Sequence, residues 1–256
     1  MFNKEEIIFR KHTVLRAEML SKSCTLPTKM QELMYAEWSD GIVTGTKIQI
    51  NEGHLSVMPG IIRYEGRLYQ MIETELIPYE ANGKEMKLRI RFGERKETDM
   101  GICYESDLFF TEEEEGRATD MELARFCLQP GAVLRNQYQN FADMGTHYNT
   151  LNLLHVPYSS YGMVALSPVI TMEYAREAEK CAGTDDTDFA FLMECLRGQA
   201  VNRSIILAYI RKKLEIDISS QISNLQIFEY LKKVLEKIRT ARKVNRSMPG
   251  RRVMID

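Results

Sequence analysis

The chain has 256 residues, of which 44% are hydrophobic and 27% charged, and its formal net charge is -2. This composition is typical of a globular protein and excludes the disordered and collagen-like classes, while the length fits one large domain or two ordinary ones. The near-neutral charge gives no overall signal for nucleic acid or for a membrane surface.

Five cysteines are spread along the chain, and none belongs to a C-x-x-C pair: Cys24, Cys103, Cys127, Cys181 and Cys195. An odd number of isolated cysteines predicts reduced thiols and argues against a disulfide scaffold or a structural zinc site. No run approaches the ~20 apolar residues that span a bilayer, and the charged N-terminus is unlike a signal peptide. We therefore expect a cytoplasmic protein without membrane insertion, or one that becomes part of an assembled particle.

Three short elements are predicted before residue 37. The apolar run Ile7–Phe9 favours a first strand. Apolar residues then recur at helical spacing in residues 14–19 and again in residues 30–34. Leu26-Pro27 lies between these two segments, and proline disfavours a helix at the residue before it, so two short helices are expected.

The stretch from Trp38 to Met71 alternates β-branched runs with turn dipeptides at nearly even spacing. The turns are Asp40-Gly41, Glu52-Gly53, Pro59-Gly60 and Glu65-Gly66. Glycine adopts a positive φ without steric cost, which suits a chain reversal. Residues 42–50 alternate between two faces, as expected of one strand. The pattern predicts a meander of antiparallel strands.

Further strands are predicted as far as residue 166. Asn82-Gly83 is typical of a two-residue hairpin, because both residues tolerate the positive φ of a type I′ turn. It would join the strand that ends at Pro78 to residues 86–92, where apolar and charged residues alternate. We also expect a strand at 102–110, a strand–turn–strand unit around Pro130-Gly131, and a last strand or two within 146–166.

The pattern becomes helical at Ser167-Pro168, where Ser suits the N-cap and Pro the first helical position. Four helices are predicted, and the last opens with a capping box from Ser223 to Gln226. Behind it lies an apolar stripe, opposite lysines at 232, 233 and 237. The stripe comprises Leu225, Phe228, Leu231, Leu235 and Ile238. It is expected to be either part of the chain's own core or a packing face of an oligomer.

These elements predict an α+β protein, with an N-terminal antiparallel β-sandwich followed by a C-terminal helical bundle. The expected boundaries are 1–166 for the sandwich with its short N-terminal helical segments, 167–240 for the helical domain, and 241–256 for a basic tail.

No motif for a common catalytic chemistry is present. The sequence lacks the phosphate-binding loop G-x-x-x-x-G-K-[ST], the nucleophile elbow G-x-S-x-G and the dinucleotide-binding G-x-G-x-x-G. Asp143, His147 and His155 are the best candidates for metal ligands, but their segment is predicted to be extended rather than helical. We therefore prefer structural or solvent-facing histidines. No catalytic residue, metal or cofactor is assigned, and the chain is not expected to be an enzyme.

The C-terminal segment carries the strongest charge asymmetry of the chain. Its bases are Arg239, Arg242, Lys243, Arg246, Arg251 and Arg252, and no acid follows them before Asp256. Clustered bases attract phosphate, so an arm for nucleic acid or for an acidic partner is one interpretation. A terminus made soluble by its charge is the other, and we prefer it because no aromatic residues alternate with the bases to stack on nucleobases.

Three stretches resemble proteins of phage tail-like contractile injection systems. SDGIVTGTKIQINEGHLSVMPGIIRYEGRLYQM is similar to the N-terminal β-domain of phage tail and baseplate fibre or adaptor proteins, with Gly60, Gly66 and Arg67 as its most specific positions. IIFRKHTVLRAEMLSKSC resembles the opening of the type VI secretion baseplate adaptor. ELARFCLQPGAVLRNQYQNFADMGTHYNTLNLLHVPYSSYGMVALSP is similar to a relative from contractile-injection gene clusters of Gram-positive anaerobes. From its length, the chain is expected to lack the C-terminal domain with which those adaptors reach a membrane complex.

The resemblance implies a β-sandwich shoulder, a helical section and a non-enzymatic structural role in a baseplate or adaptor. The expected partners are further copies of the chain, in a homo-oligomer, and other baseplate or tail proteins. Two alternatives stay open. One is a nucleic-acid-binding protein that uses its basic tail, and the other is an intracellular enzyme whose site is assembled from distant residues.

Overall fold

The computed structural model describes residues 7–8, 11–12, 14–99, 101–112, 117, 119–181 and 185–246, with side chains as far as residue 240. The fold is α+β. The helices within the described residues are α1 (Ala17–Met34), α2 (Pro168–Glu179), α3 (Asp186–Leu196), α4 (Arg203–Leu214) and α5 (Asn224–Arg246). The strands are β1 (Gly41–Gly45), β2 (Ile48–Asn51), β3 (His54–Val57), β4 (Gly60–Tyr64), β5 (Arg67–Met71), β6 (Glu75–Pro78), β7 (Glu85–Thr98), β8 (Gly101–Glu112) and β9 (Met121–Cys127).

These strands form three antiparallel sheets of three strands each, with the orders β1-β4-β5, β2-β3-β6 and β8-β7-β9. The predicted turns at Glu52-Gly53 and Glu65-Gly66 join β2 to β3 and β4 to β5. All three sheets contribute buried side chains to one core, for example Leu55, Ile62 and Leu88. The packing of these sheets as a β-sandwich that precedes a helical bundle stays a prediction.

The prediction of one strand across residues 42–50 is wrong. Gly45 and Thr46 both have a positive φ, at 69° and 52°, which ends the extended backbone of β1. The Thr46 N–H donates to the Pro59 carbonyl oxygen at 3.0 Å, and the chain passes from one sheet to another at this point. A Cβ on Gly45 would lie 2.2 Å from that oxygen, so the crossing requires glycine. The predicted meander is therefore two hairpins that belong to different sheets.

The predicted hairpin at Asn82-Gly83 is also wrong, although the turn itself is present. Gly83 has a φ of 74°, and the Asn82 side chain accepts a hydrogen bond from the Lys84 N–H at 2.9 Å. The strands on either side lie in different sheets, because β6 pairs with β3 whereas β7 pairs with β8 and β9. The turn was predicted correctly from its local residues, whereas the strands that pair with β6 and β7 depend on distant residues.

The strands predicted after Pro130-Gly131 and within 146–166 occur only as isolated bridges in the part of the chain that the structure describes. The Asn149 N–H donates to the Cys127 carbonyl at 2.9 Å, and Asn152 exchanges two backbone hydrogen bonds with Arg125. This segment covers the outer edge of β9, and residues 157–159 pair with β1 in the same way. It protects two sheet edges without forming a regular strand.

The N-terminal segment differs from the two predicted helices, because α1 is continuous through Pro27. Proline removes one N–H and crowds the carbonyl of the residue four positions earlier, here Ser23. Ser23 is exposed, so water can hydrate the freed carbonyl. Of the predicted first strand, Ile7 and Ile8 have no regular structure and Phe9 lies outside the described residues.

The second half of the chain is helical, as predicted from Ser167-Pro168. Its core is formed by α2 to α5 together with a short 3₁₀ helix at Phe141–Gly145, so it includes residues that precede position 167. The capping box of α5 is present: the Gln226 N–H donates to Ser223 Oγ at 3.1 Å, and the Ser223 N–H donates to Gln226 Oε1 at 2.7 Å. The domain boundary at residue 166 stays a prediction.

None of the five cysteines forms a disulfide with another described residue, and Cys24 and Cys103 are exposed. Among the helices in the described part of the chain, none has the length and apolar character needed to cross a membrane.

Candidate interaction surface

Helix α1 has its apolar side chains on the outside. It is 18 residues long and contains no buried residue. Leu26, Met30 and Leu33 share one face, since they follow the i, i+4, i+7 spacing, and they are 42%, 68% and 75% exposed. Met34 adjoins them and is exposed as well. We call Leu26, Met30, Leu33 and Met34 the α1 stripe.

The opposite face of α1 is polar and points towards the strands. Cys24, Thr28 and Glu32 lie one helical turn apart and line a groove between α1 and the sheets. A helix turns about 100° per residue, so Cys24 and Leu26 lie on opposite sides. A surface helix ordinarily buries its apolar face and exposes its polar one. On α1 the polar face is largely exposed and the apolar face is exposed as well, which leaves the α1 stripe without a partner among the described residues.

The groove has a volume of about 1370 Å³. Besides α1, it is lined by five consecutive residues of β5, Arg67–Met71, and by residues 101–108 of β8. Apolar side chains such as Ile62, Ile77 and Ile90 form its floor. The Arg67 guanidinium lies 4.5 Å from the centre of the Tyr104 ring, so β5 and β8 approach each other at that point.

The metal-ligand candidates have other partners. Both carboxylate oxygens of Asp143 accept hydrogen bonds from Arg135, at 2.6 and 2.7 Å, and Thr146 Oγ1 donates to one of them at 2.8 Å. Hydrogen bonding from Arg135 holds the pKa of Asp143 far below its usual range. Among the described residues, no group of three or more His, Cys, Asp or Glu side chains is placed to hold a metal ion. Asp143 fixes a loop instead.

The two histidines of that trio border a polar cluster on β7 and β9. His147 Nδ1 lies 3.5 Å from Glu85 Oε2, and Glu85 also pairs with Arg125 at 3.1 Å. Arg125 in turn donates to Glu122 at 2.6 Å. Burial, followed by the charge of Arg125, lowers the pKa of His155. Glu85 and Glu122 thus share Arg125 as a partner, and His147 borders this cluster through Glu85.

The apolar stripe of α5 is largely internal. Phe228, Leu231, Leu235 and Ile238 are buried in the helical core, and Leu225 alone of the five is exposed, at 41%. Buried side chains cannot present a face to another chain, so the expectation of an oligomer face is corrected for these four. The alternative, an intramolecular core, is what their positions show.

The basic tail is described only in part. Arg239 pairs with Glu177 of α2. Arg242, Lys243 and Arg246 lie on α5, and their side chains are outside the described residues. Arg251 and Arg252 are outside the described residues altogether.

A buried polar network in the helical core had no signal in the sequence. Asp188 is fully buried and accepts hydrogen bonds from Tyr209 and from Lys213, each at 2.8 Å. The Tyr209 hydroxyl also lies 2.7 Å from that of Tyr174. Burial raises the pKa of both tyrosines far above the usual value, so they stay neutral. The network joins α2, α3 and α4 inside the helical core.

The chain matches no family model, and no curated protein matches it either. Among solved structures it resembles the crystal structure of TssK, with 9% sequence identity, 93% of this chain and 69% of that chain covered, and a TM-score of 0.38. A likeness at this TM-score carries no argument about function.

Proposed function

We propose that this chain is a structural, non-enzymatic component of a phage tail-like contractile injection apparatus, where it occupies a baseplate or adaptor position. The observation that carries the proposal is the exposure of the α1 stripe. An apolar stripe that faces outward on an ordered helix marks a surface that another protein covers. The sequence resemblance of residues 39–71 to baseplate β-domains supports the choice of apparatus.

The ionisable residues support a structural role in a second way. Those that the structure brings together, around Asp143, Glu85 and Asp188, pair acids with bases inside the chain. Catalytic acids and bases instead need different environments and access to a substrate. These clusters fix loops and helices, and a fixed scaffold suits a protein that holds its neighbours in place.

The test is incorporation into particles. A tagged chain would be produced in the cells that normally make it, sheath-bearing particles would be isolated on a density gradient, and the chain would be quantified against the sheath subunit by mass spectrometry. Wild-type chain is expected to co-sediment with the particles. Met30→Glu combined with Leu33→Glu is expected to reduce incorporation at least about tenfold, because two interface anchors become charged.

The matched control replaces two exposed apolar residues away from α1, Val133→Glu and Phe189→Glu. It adds the same charge and is expected to leave incorporation unchanged. Circular dichroism verifies that each variant is folded. The proposal is wrong if the wild-type chain is missing from the particles, or if the two double variants behave alike.

A further inference from the structure

The groove beside α1 is bordered by two strand edges. Successive residues of a strand point to opposite faces, so a cavity that touches every residue in a row lies at the edge of the strand rather than over one face. Five consecutive residues of β5 and eight of β8 line this groove. Each strand is at the end of its sheet, with β4 and β7 as its single neighbour.

The free hydrogen-bonding groups of β5 follow from its hairpin. The two-residue turn Glu65-Gly66 makes Tyr64 and Arg67 a hydrogen-bonded pair, and such pairs alternate along an antiparallel ladder. Arg67, Tyr69 and Met71 therefore bond towards β4. Leu68 and Gln70 direct their N–H and C=O groups away from the sheet, and no described backbone group pairs with them there. An extended segment satisfies such an edge by adding a strand.

The chemistry of the groove selects the side chains of that segment. The floor is apolar, so alternate residues of an added strand must be apolar. Acids are in excess on the walls: Glu32, Glu75 and Asp107, against Lys29 and Arg67, while a fourth acid, Glu105, pairs with Lys96. Basic residues at the rim are therefore favoured.

We propose that this groove binds the C-terminal segment of a second copy of the chain, residues 247–256, as an added β-strand. The segment reads SMPGRRVMID, in which two arginines follow a Pro-Gly break and Val253 and Ile255 share one face. Its run RRVMI has five residues, as β5 does. The proposal concerns self-association and does not depend on the apparatus proposed above.

The position of α5 favours binding of residues 247–256 to the groove of a second copy over binding to the groove of their own copy. The polar contacts of α5 with other elements lie in the helical half, for example Arg239 with Glu177 and Lys237 with the Lys213 carbonyl oxygen. The helix continues seven residues past Arg239, to Arg246, and residues 247–256 follow it. Every residue that lines the groove lies between positions 24 and 123. The described chain thus ends in a helix of the helical half, whereas the groove belongs to the strands.

The first experiment measures association of the full chain by sedimentation equilibrium. The wild-type chain is expected to self-associate with increasing concentration, and deletion of residues 247–256 is expected to abolish this. A synthetic peptide of residues 247–256 is expected to dissociate the wild-type assembly. With the chain that lacks residues 247–256, the same peptide is expected to slow the reaction of Cys24 and Cys103 with a thiol reagent, because both exposed thiols line the groove.

The second experiment exchanges charges. Glu75→Lys with Asp107→Lys is expected to weaken peptide binding about tenfold, since two exposed attractions become repulsions. A peptide with Arg251→Glu and Arg252→Glu is expected to restore binding to that variant and to bind wild type poorly. The control Glu80→Lys with Glu236→Lys makes the same charge change at two exposed acids outside the groove and is expected to bind like wild type.

The outcomes separate the possible occupants. Association that needs both the tail and the groove acids, with rescue by the exchanged charges, supports the proposal. A monomer whose thiols become reactive only when its own tail is deleted shows that the tail folds back within one copy, and this overturns the second-copy proposal. Failure of the peptide to bind, or equal binding to the groove and control variants, also overturns it, whatever the particle assay shows.

Discussion

Replacing Asp188 with Asn is expected to destabilise the helical half by about 3 kcal/mol. Asp188 is fully buried, and its two oxygens accept from Tyr209, from Lys213 and from the Asp185 backbone N–H. An amide of the same shape has one acceptor oxygen, so at least one of these three donors loses its partner. Charged hydrogen bonds in proteins contribute roughly 1.5–3 kcal/mol, and breaking a buried pair costs roughly 3–5 kcal/mol.

The expected cost lies at the lower end of that range because Lys213 keeps a second partner. Its ammonium lies 3.1 Å from an oxygen of Asp185, whose side chain is largely exposed. Lys213→Met removes the other charge and leaves Asp188 buried without a cation. The double variant removes the pair together, so its cost is expected to be smaller than the sum of the two single costs.

Urea unfolding followed by far-UV circular dichroism measures these free energies. Glu112→Gln is the control, because the pair of Glu112 with Lys84 is exposed and such pairs contribute at most about 1 kcal/mol. A loss below about 1 kcal/mol for Asp188→Asn, or strict additivity in the double variant, would refute the reasoning that this charge is held by buried donors.

Three other predictions concern loops, caps and the core. Asp143→Asn is expected to lower the free energy of unfolding by about 1–3 kcal/mol at pH 7. Because Arg135 lowers the folded-state pKa of Asp143, this difference from wild type should shrink in urea titrations as the pH falls below about 4. Ser223→Ala is expected to lower the free energy of unfolding by about 1 kcal/mol through loss of the α5 capping box, with recovery in Ser223→Thr. Phe228→Ala is expected to cost about 3–5 kcal/mol in thermal or urea unfolding, whereas Leu225→Ala should cost under about 1 kcal/mol, and equal costs would contradict the internal position of the stripe.

The helical half of the fold was predictable because its signals are local. Ser167-Pro168 begins α2, and the hydrogen bonds of Ser223 with Gln226 are the ones that the capping-box spacing predicts. Each of these signals involves residues within four positions of one another, so the sequence contains both partners. The buried pair of Asp188 with Lys213 spans 25 positions, and no local spacing indicates it.

The pairing of strands was less predictable, since it depends on residues far apart in the sequence. The alternation of residues 42–50 fits one strand, and only the glycine at position 45 marks the place where the chain changes sheets. The turn at Asn82-Gly83 has the expected positive φ at Gly83 without the expected hairpin. In both places nearby residues determine the backbone conformation, whereas distant residues determine which strand pairs with which.

Helix α1, at the candidate site, shows the same contrast between local signals and contacts with distant residues. The apolar spacing around Met30 and Leu33 indicated a helix, and Pro27 wrongly indicated a break, because an exposed helix can leave the Ser23 carbonyl to water. Spacing alone does not say which face of a helix turns inward. In this fold the polar face borders a groove with free strand edges, and the apolar face points away from the chain. The proposed partners would complete both surfaces, the groove through backbone hydrogen bonds and the α1 stripe through apolar contact.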